Sequence, residues 1–284
     1  MGTMMSFSQS RSNHYMSEDE LRKVCPAAFK TAPTNPNVSA KYSYASTMDV
    51  VRDMERLGWK PVAAKQARER KNSSGIRSFH MIAFENPNVA ITKGGETEAM
   101  VRVILTNSHD GFNSFKFMCG LFRFVCSNGL VVSDMEFANI SIRHINYDFN
   151  ELKVVVGDMI ERIPMVVAQM NAMTRVSLTD EQKVELARET YRIRKGVEDG
   201  ERVEVDDETI RDILTPVRDE DKADDLWTIF NLCQEKMIRG GFKVVGKNGK
   251  TRKQRSITSI KKDIDFNAQL WQVASRFIPV SAAA

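Results

Sequence analysis

The chain has 284 residues, long enough to bury a sizeable core, and its 42% hydrophobic and 27% charged content places it among folded globules and away from disordered chains. A formal net charge of +4 is too small to name a partner, so the distribution of charge matters more than its sum. Cys25, Cys119, Cys126 and Cys233 form neither a disulfide ladder nor the C-x-x-C pairs of a zinc site, no apolar run approaches the roughly 20 residues that span a bilayer, and the start lacks a secretory pattern. These features predict a reduced, cytoplasmic protein with no metal and no cofactor.

Residues 1 to 16 are polar, lack periodicity and read as an arm. Ser17-Glu18-Asp19-Glu20 is a capping box opening a short helix that stops near Pro26. After Pro33 and Pro36, Ser46-Thr47-Met48-Asp49 opens a second helix with Val50, Val51, Met54 and Leu57 at helical spacing and Gly58 at its end.

From Trp59 to Ile145 the pattern changes to strands, at Pro61 to Ala67, Ser78 to Phe84, Met100 to Thr106, Phe115 to Cys126 and Leu130 to Val132. Asn72-Ser73-Ser74-Gly75, Lys93-Gly94-Gly95 and Ser127-Asn128-Gly129 supply turn residues for antiparallel hairpins.

Helical spacing returns after Asn150, with Leu152, Val156, Met159, Ile160, Ile163, Val167 and Met170 on one face and a kink predicted at Pro164. Thr179-Asp180-Glu181-Gln182 starts a further helix to about Lys195, and an acidic link runs from Glu198 to Asp225. Leu226, Trp227, Phe230, Cys233 and Met237 mark another helix, ended by Gly240-Gly241. The fold expected is α+β: a curved antiparallel sheet covered by helices, with a helical C-terminal region carrying a basic β-hairpin. The corresponding organisation is an N-terminal arm and short helix over 1–45, an α+β core over 46–176, and a helical region over 177–284 packed with that core.

The hairpin is read from Phe242 to Ile257, two strands joined by an Asn248-Gly249 turn. Lys243, Lys247, Lys250, Arg252, Lys253 and Arg255 lie in it, Lys261 and Lys262 follow, and no acid occurs between Lys236 and Lys262. A run of one sign suits a phosphate backbone, whose neutralisation releases counterions. The competing reading is a solvated hairpin whose cations pair with the acidic link. Gly249-Lys250-Thr251 is not a nucleotide-binding loop, because the glycine such a loop needs five residues earlier is Val244.

A second constellation is Asn107-Ser108-His109-Asp110-Gly111 with Cys126, Asn128, Arg143 and His144, whose bases, carboxylate and thiol have the chemistry of a nucleophilic or metal site. A polar turn with His109 bonding to backbone, and Cys126 as a small buried hydrophobe, accounts for it more simply. Arg102, Lys116, Arg123 and Arg143 lie on strand-like segments, where a two-residue period brings some to one sheet face. Phe112, Phe115, Phe117, Phe122 and Phe124 have rings that stack on bases, although their density predicts that most are core.

Thr106-Asn107-Ser108-His109-Asp110-Gly111, Gly120-Leu121-Phe122-Arg123-Phe124-Val125-Cys126-Ser127-Asn128-Gly129-Leu130, Leu57-Gly58-Trp59-Lys60-Pro61-Val62 and the later Leu226-Trp227, Asn231, Gln234-Glu235 and Arg239-Gly240-Gly241 give the chain its likeness to a known family. Over roughly residues 40 to 277 it resembles the phage and plasmid protein family of unknown function DUF932. The resemblance implies a mobile-element protein in a bacterial host cytosol and carries over no catalytic residue.

The expected function is that of a non-catalytic nucleic-acid-binding protein encoded by a phage or plasmid, binding and annealing single-stranded DNA in recombination or replication. The hairpin cations and Lys261 and Lys262 would contact phosphates, with Arg123 and Arg143 as secondary contacts. The acidic link meeting a neighbour's hairpin would give a homo-oligomer. The alternative is a protein-interaction module that inhibits a host defence or restriction system. A metal-dependent hydrolase around His109 and Asp110 is the weakest reading, for want of a carboxylate cluster. At this stage His109, Asp110, Cys126 and Asn128 are open between structural and functional roles.

Overall fold

A computed structural model describes residues 15–38, 44–67, 78–93, 96–113, 115–123, 129–132, 149–198, 200–201, 204–245 and 250–279, and for the strand residues 90–93, 96–99, 119–123 and 129–132 the backbone alone. Arg143, His144, Cys126, Asn128 and Lys247 lie outside the described residues, as does the side chain of Arg123. The chain forms two compact units, Met1–Ile163 and Pro164–Ala284.

In the first unit, helix α1 (Glu18–Val24) starts at the predicted capping box: the Ser17 hydroxyl accepts from the Glu20 N–H, and the Glu20 carboxylate accepts from the Ser17 N–H. Pro26–Phe29 is one turn of 3-10 helix. Helix α2 (Thr47–Arg56) is capped by Ser46, buries Val50, Val51 and Met54, and is followed by Gly58, whose φ of 85° turns the chain into the buried Trp59.

Five strands follow: β1 (Lys60–Gln66), β2 (His80–Lys93), β3 (Glu96–Asn107), β4 (Lys116–Arg123) and β5 (Gly129–Val132). They pair in sequence order, each antiparallel to the next, as hairpin connections require. β2 and β3 run further than the apolar alternation predicts. The register shifts between Glu85 and Ala90, so the polar Glu85-Asn86 step that looks like a strand end is an irregularity inside one long hairpin. Both faces of the sheet are buried, with Ile82, Phe84, Val103, Leu105 and Phe117 on one and Met81, Ala83, Ile104 and Met118 on the other.

Helix α3 (Phe149–Met173) stays helical through Pro164, and the division between the units falls there. Leu152, Val155, Val156 and Met159 form a buried face at helical spacing.

The second unit contains α4 (Asp180–Lys195), α5 (Asp207–Leu214), α6 (Leu226–Arg239), the two-stranded sheet of β6 (Lys243–Val245) and β7 (Thr251–Lys253), and α7 (Ile260–Ser275). Its core centres on three rings: Trp227 and Phe230 are stacked 5.7 Å apart, and Trp271 meets both edge-on. The acidic link is partly helical, because Asp206 caps α5 and Ile210 and Ile213 bury one of its faces. Among the described residues no helix is long and apolar enough to cross a membrane.

Candidate nucleic-acid interface

The β6–β7 hairpin is built outward from a turn that only glycine can make. Gly240, closing α6, has φ 68° and ψ −150°, and a Cβ there would lie 2.5 Å from the Gln254 carbonyl oxygen. That close approach lets the Gly241 N–H donate to Gln254 O and the Gln254 N–H donate to Phe242 O, both at 2.8 Å, which sets the register opposing Lys243 to Lys253, Val244 to Arg252 and Val245 to Thr251.

Four further hydrogen bonds hold the hairpin's base. The Lys243 N–H donates to the Asp212 carboxylate at 2.6 Å, the Val245 N–H donates to the Thr209 hydroxyl at 3.4 Å, and the Arg194 guanidinium donates to the carbonyls of Arg255 at 2.7 Å and Met237 at 3.2 Å. Phe242 and Val244 are buried, with the Phe242 ring edge-on to Tyr191. One side of the ribbon is thereby anchored on α5.

Of the cations singled out by sequence, Lys243, Lys250, Arg252, Lys253 and Arg255 are exposed on or beside the hairpin, and Lys261 and Lys262 are exposed in the first turn of α7. Lys243 and Lys253 stand directly across the ladder from one another, an arrangement of like charges that destabilises a strand pair unless an anion or solvent screens it. Lys261 and Lys262 share the first turn of α7 with Asp263.

Four acids of residues 198–225 pair with cations outside the hairpin: Asp207 meets Arg188 at 2.8 Å, Asp219 meets Lys222 at 2.5 Å, Asp221 meets Arg218 at 3.3 Å, and Asp224 meets Lys183 at 2.6 Å. Asp224 holds the Lys183 ammonium above its ordinary pKa, with Asp180 adding to the effect. Where α5 touches the hairpin, Asp212 takes the Lys243 backbone N–H.

The Asn107-Ser108-His109-Asp110 stretch closes a buried polar network in the first unit. His80 Nδ1 lies 2.6 Å from the Ser78 carbonyl, which can only accept, so Nδ1 carries the proton. Burial depresses the His80 pKa to about 4, leaving the ring neutral with Nε2 as the acceptor of the Thr47 hydroxyl at 2.9 Å. Thr47 Oγ1 also accepts from the Asn107 amide at 2.9 Å. With its one proton spent on His80, it accepts from His109 Nε2 at 3.2 Å.

The Asp110 carboxylate gathers the Ser108 hydroxyl at 2.6 Å, the Phe112 N–H at 2.9 Å and the Ser78 N–H at 3.2 Å. Thr47, His80, Asn107, Ser108 and His109 are all fully buried. A hydroxyl giving one bond and receiving two has no valence left for a substrate, so the network pins α2 to the β3–β4 turn. His109 sits in the polar turn that the sequence predicts, and its ring bonds the Thr47 hydroxyl.

No group of three His, Cys, Asp or Glu suited to a metal ion occurs among the described residues. Cys25 and Cys233 are buried free thiols whose pKa burial pushes up to about 12, far from the thiolate a nucleophile needs. A cationic sheet face fares less well than the hairpin. Arg102 is buried and paired with Glu85 at 2.6 Å, so it belongs to the core and not to a surface. Lys116 is half-exposed at the start of β4, Arg123 ends that strand opposite Ala99, and Arg143 lies outside the described residues.

An antiparallel meander locked by buried polar side chains, and a helical unit presenting a cationic ribbon, define an α+β protein without a recognisable catalytic centre among the described residues. The chain belongs to the family described as Domain of unknown function (DUF932), whose profile matches residues 36–271. It is 28% identical to the UPF0380 protein YafZ of Escherichia coli (strain K12) over 268 residues, covering 94% of this chain and 93% of that protein. It is 27% identical to the UPF0380 protein YfjQ of the same strain, again over 268 residues with 94% and 93% covered. No solved structure matches.

Proposed function

We propose that this protein binds nucleic acid through the β6–β7 hairpin, with Lys243, Lys250, Arg252, Lys253 and Arg255 as phosphate contacts and Lys261 and Lys262 extending the surface. The observation that carries the reading is the facing pair Lys243 and Lys253 on a ribbon anchored on its other side, while Asp207 and Asp224 of the preceding segment meet Arg188 and Lys183. A phosphate backbone relieves such crowding by replacing mobile counterions. Phosphate contacts of this kind position a strand without reading its bases. Annealing of single-stranded DNA in a mobile element's recombination or replication is the transaction we assign to that surface.

The test is fluorescence anisotropy of labelled oligonucleotides with wild type, a Lys243→Ala/Lys253→Ala variant, and a Lys183→Ala/Lys222→Ala control whose cations meet acids in the structure. The reading expects a large loss of affinity in the first variant and little change in the control. Equal affinity in all three proteins would remove the hairpin from the account, and absence of binding by folded wild type at low salt would remove nucleic acid.

A further inference from the structure

In the first unit, α3 buries Leu152, Val155, Val156 and Met159 and turns its opposite side outward. From Glu151 to Glu161 the exposed side chains are Glu151, Lys153, Val154, Asp158, Ile160 and Glu161, with Val154 62% and Ile160 37% exposed. Gly157 lies at the middle of that outer face. At roughly 100° per residue, Lys153, Val154, Ile160 and Glu161 all fall within about 60° of Gly157 around the helix axis, whereas Glu151 and Asp158 lie about 100° or more away, at the edge.

A glycine inside a helix is unfavourable because of the backbone freedom it gives up. Nothing in its own surroundings asks for this one, since a Cβ built on Gly157 would meet nothing within 4 Å among the described residues. What the absent side chain provides is a low point on the outer surface, where a second backbone can approach closely.

The flanking charges are arranged to the same end. Lys153 and Glu161 stand two turns and about 12 Å apart along the helix, too far to pair with each other. The residues three and four positions from Lys153 include no acid, and those three and four positions from Glu161 include no base. A two-fold axis passing beside Gly157 and perpendicular to α3 would lay the same helix of another copy antiparallel to it. Each residue then stands level with the one equally far on the other side of Gly157: Lys153 with Glu161 of the second copy, Glu161 with its Lys153, and Val154 with its Ile160. An isologous contact needs a face that complements itself, and opposite charges and apolar residues at equal distances from a small residue supply one.

We infer that the outer face of α3 is a self-association surface, an antiparallel contact between two copies of this chain that crosses at Gly157. It stands independently of nucleic-acid binding by the hairpin. A contact one helix wide is small, so the dimer is a weak one, formed in the micromolar range.

The experiment is sedimentation velocity of the full chain over a micromolar concentration series, with wild type, Lys153→Glu, Glu161→Lys and the doubly reversed Lys153→Glu/Glu161→Lys, each of wild-type circular dichroism. The inference expects a monomer–dimer equilibrium in wild type and about 10-fold or greater weakening in each single variant, where two like-charged contacts replace two opposite ones. It also expects the dimer to return when the two single variants are mixed, and when both reversals share one chain. Mixing is the arm that a merely structural role would not move, because it changes neither chain and restores only a contact between 153 and 161 of different copies. A wild type monomeric through the whole series, a dimer that both single variants retain, or single variants that stay monomeric on mixing would each overturn the inference.

Discussion

Glu85 and Arg102 face each other across β2 and β3, and their side chains meet at 2.6 Å with both residues buried. Burial lowers the Arg102 pKa while the Glu85 carboxylate opposes that shift, the signature of a desolvated ion pair. Removing one partner strands the other charge in the core. Arg102→Met is therefore expected to cost about 3–5 kcal/mol in urea unfolding, whereas Glu85→Leu with Arg102→Met should recover most of that loss. Equal destabilisation by single and double variants would mean that the pair's packing, not its charge, is what matters.

The depressed His80 pKa makes stability depend on acid in a defined window. An unfolded histidine titrates near 6.5 and the folded one near 4, so the unfolded state binds more protons between these values. Its contribution is fully present above pH 6.5, falls as pH drops, and is gone below about 4, a total of about 3 kcal/mol. Unfolding free energy measured from pH 8 to 4 should fall less steeply in His80→Gln than in wild type. Parallel curves would show that His80 does not carry this dependence.

Gly240 and Gly241 both have positive φ but differ in their surroundings, since a Cβ on Gly240 would run into Gln254 and Arg255 backbone whereas one on Gly241 meets nothing within 4 Å. Gly241→Ala is expected to cost about 1–2 kcal/mol for the left-handed backbone alone. Gly240→Ala should cost clearly more and should weaken hydrogen-exchange protection at Gln254 first. Equal costs for the two would contradict the close approach that sets the hairpin's register.

Much of this architecture is legible in local sequence signals. The capping boxes at Ser17 and Thr179 each open the helix they predict, and the cation-rich segments of β6 and β7 pair as the expected hairpin strands. Two helices escape such reading. In α5 the acidic composition masks Asp206 as a cap and Ile210 and Ile213 as a short buried face, and in α7 the neighbouring lysines draw the eye from Ser259 and the Phe266, Leu270 and Trp271 face.

The buried network is legible only in part. His109 and Asp110 stand out as a polar pair, but Thr47 and His80 come from elements 62 and 29 positions upstream of His109, and only pairing of β2 with β3 and packing of α2 brings them together. Exposure behaves likewise: alternation marks five phenylalanines alike, and the turn's geometry alone distinguishes Phe112 from the buried Phe115 and Phe117.

The most direct test of phosphate binding by the hairpin is the salt dependence of affinity for a labelled single-stranded oligonucleotide, compared between wild type and a Lys250→Glu/Arg252→Glu/Lys253→Glu variant of unchanged circular dichroism. Each lost phosphate contact should reduce the slope of log K against log salt by about 0.7, so a drop of about 2 with a large loss of affinity is the predicted result. An unchanged slope and affinity in the folded variant would contradict the account.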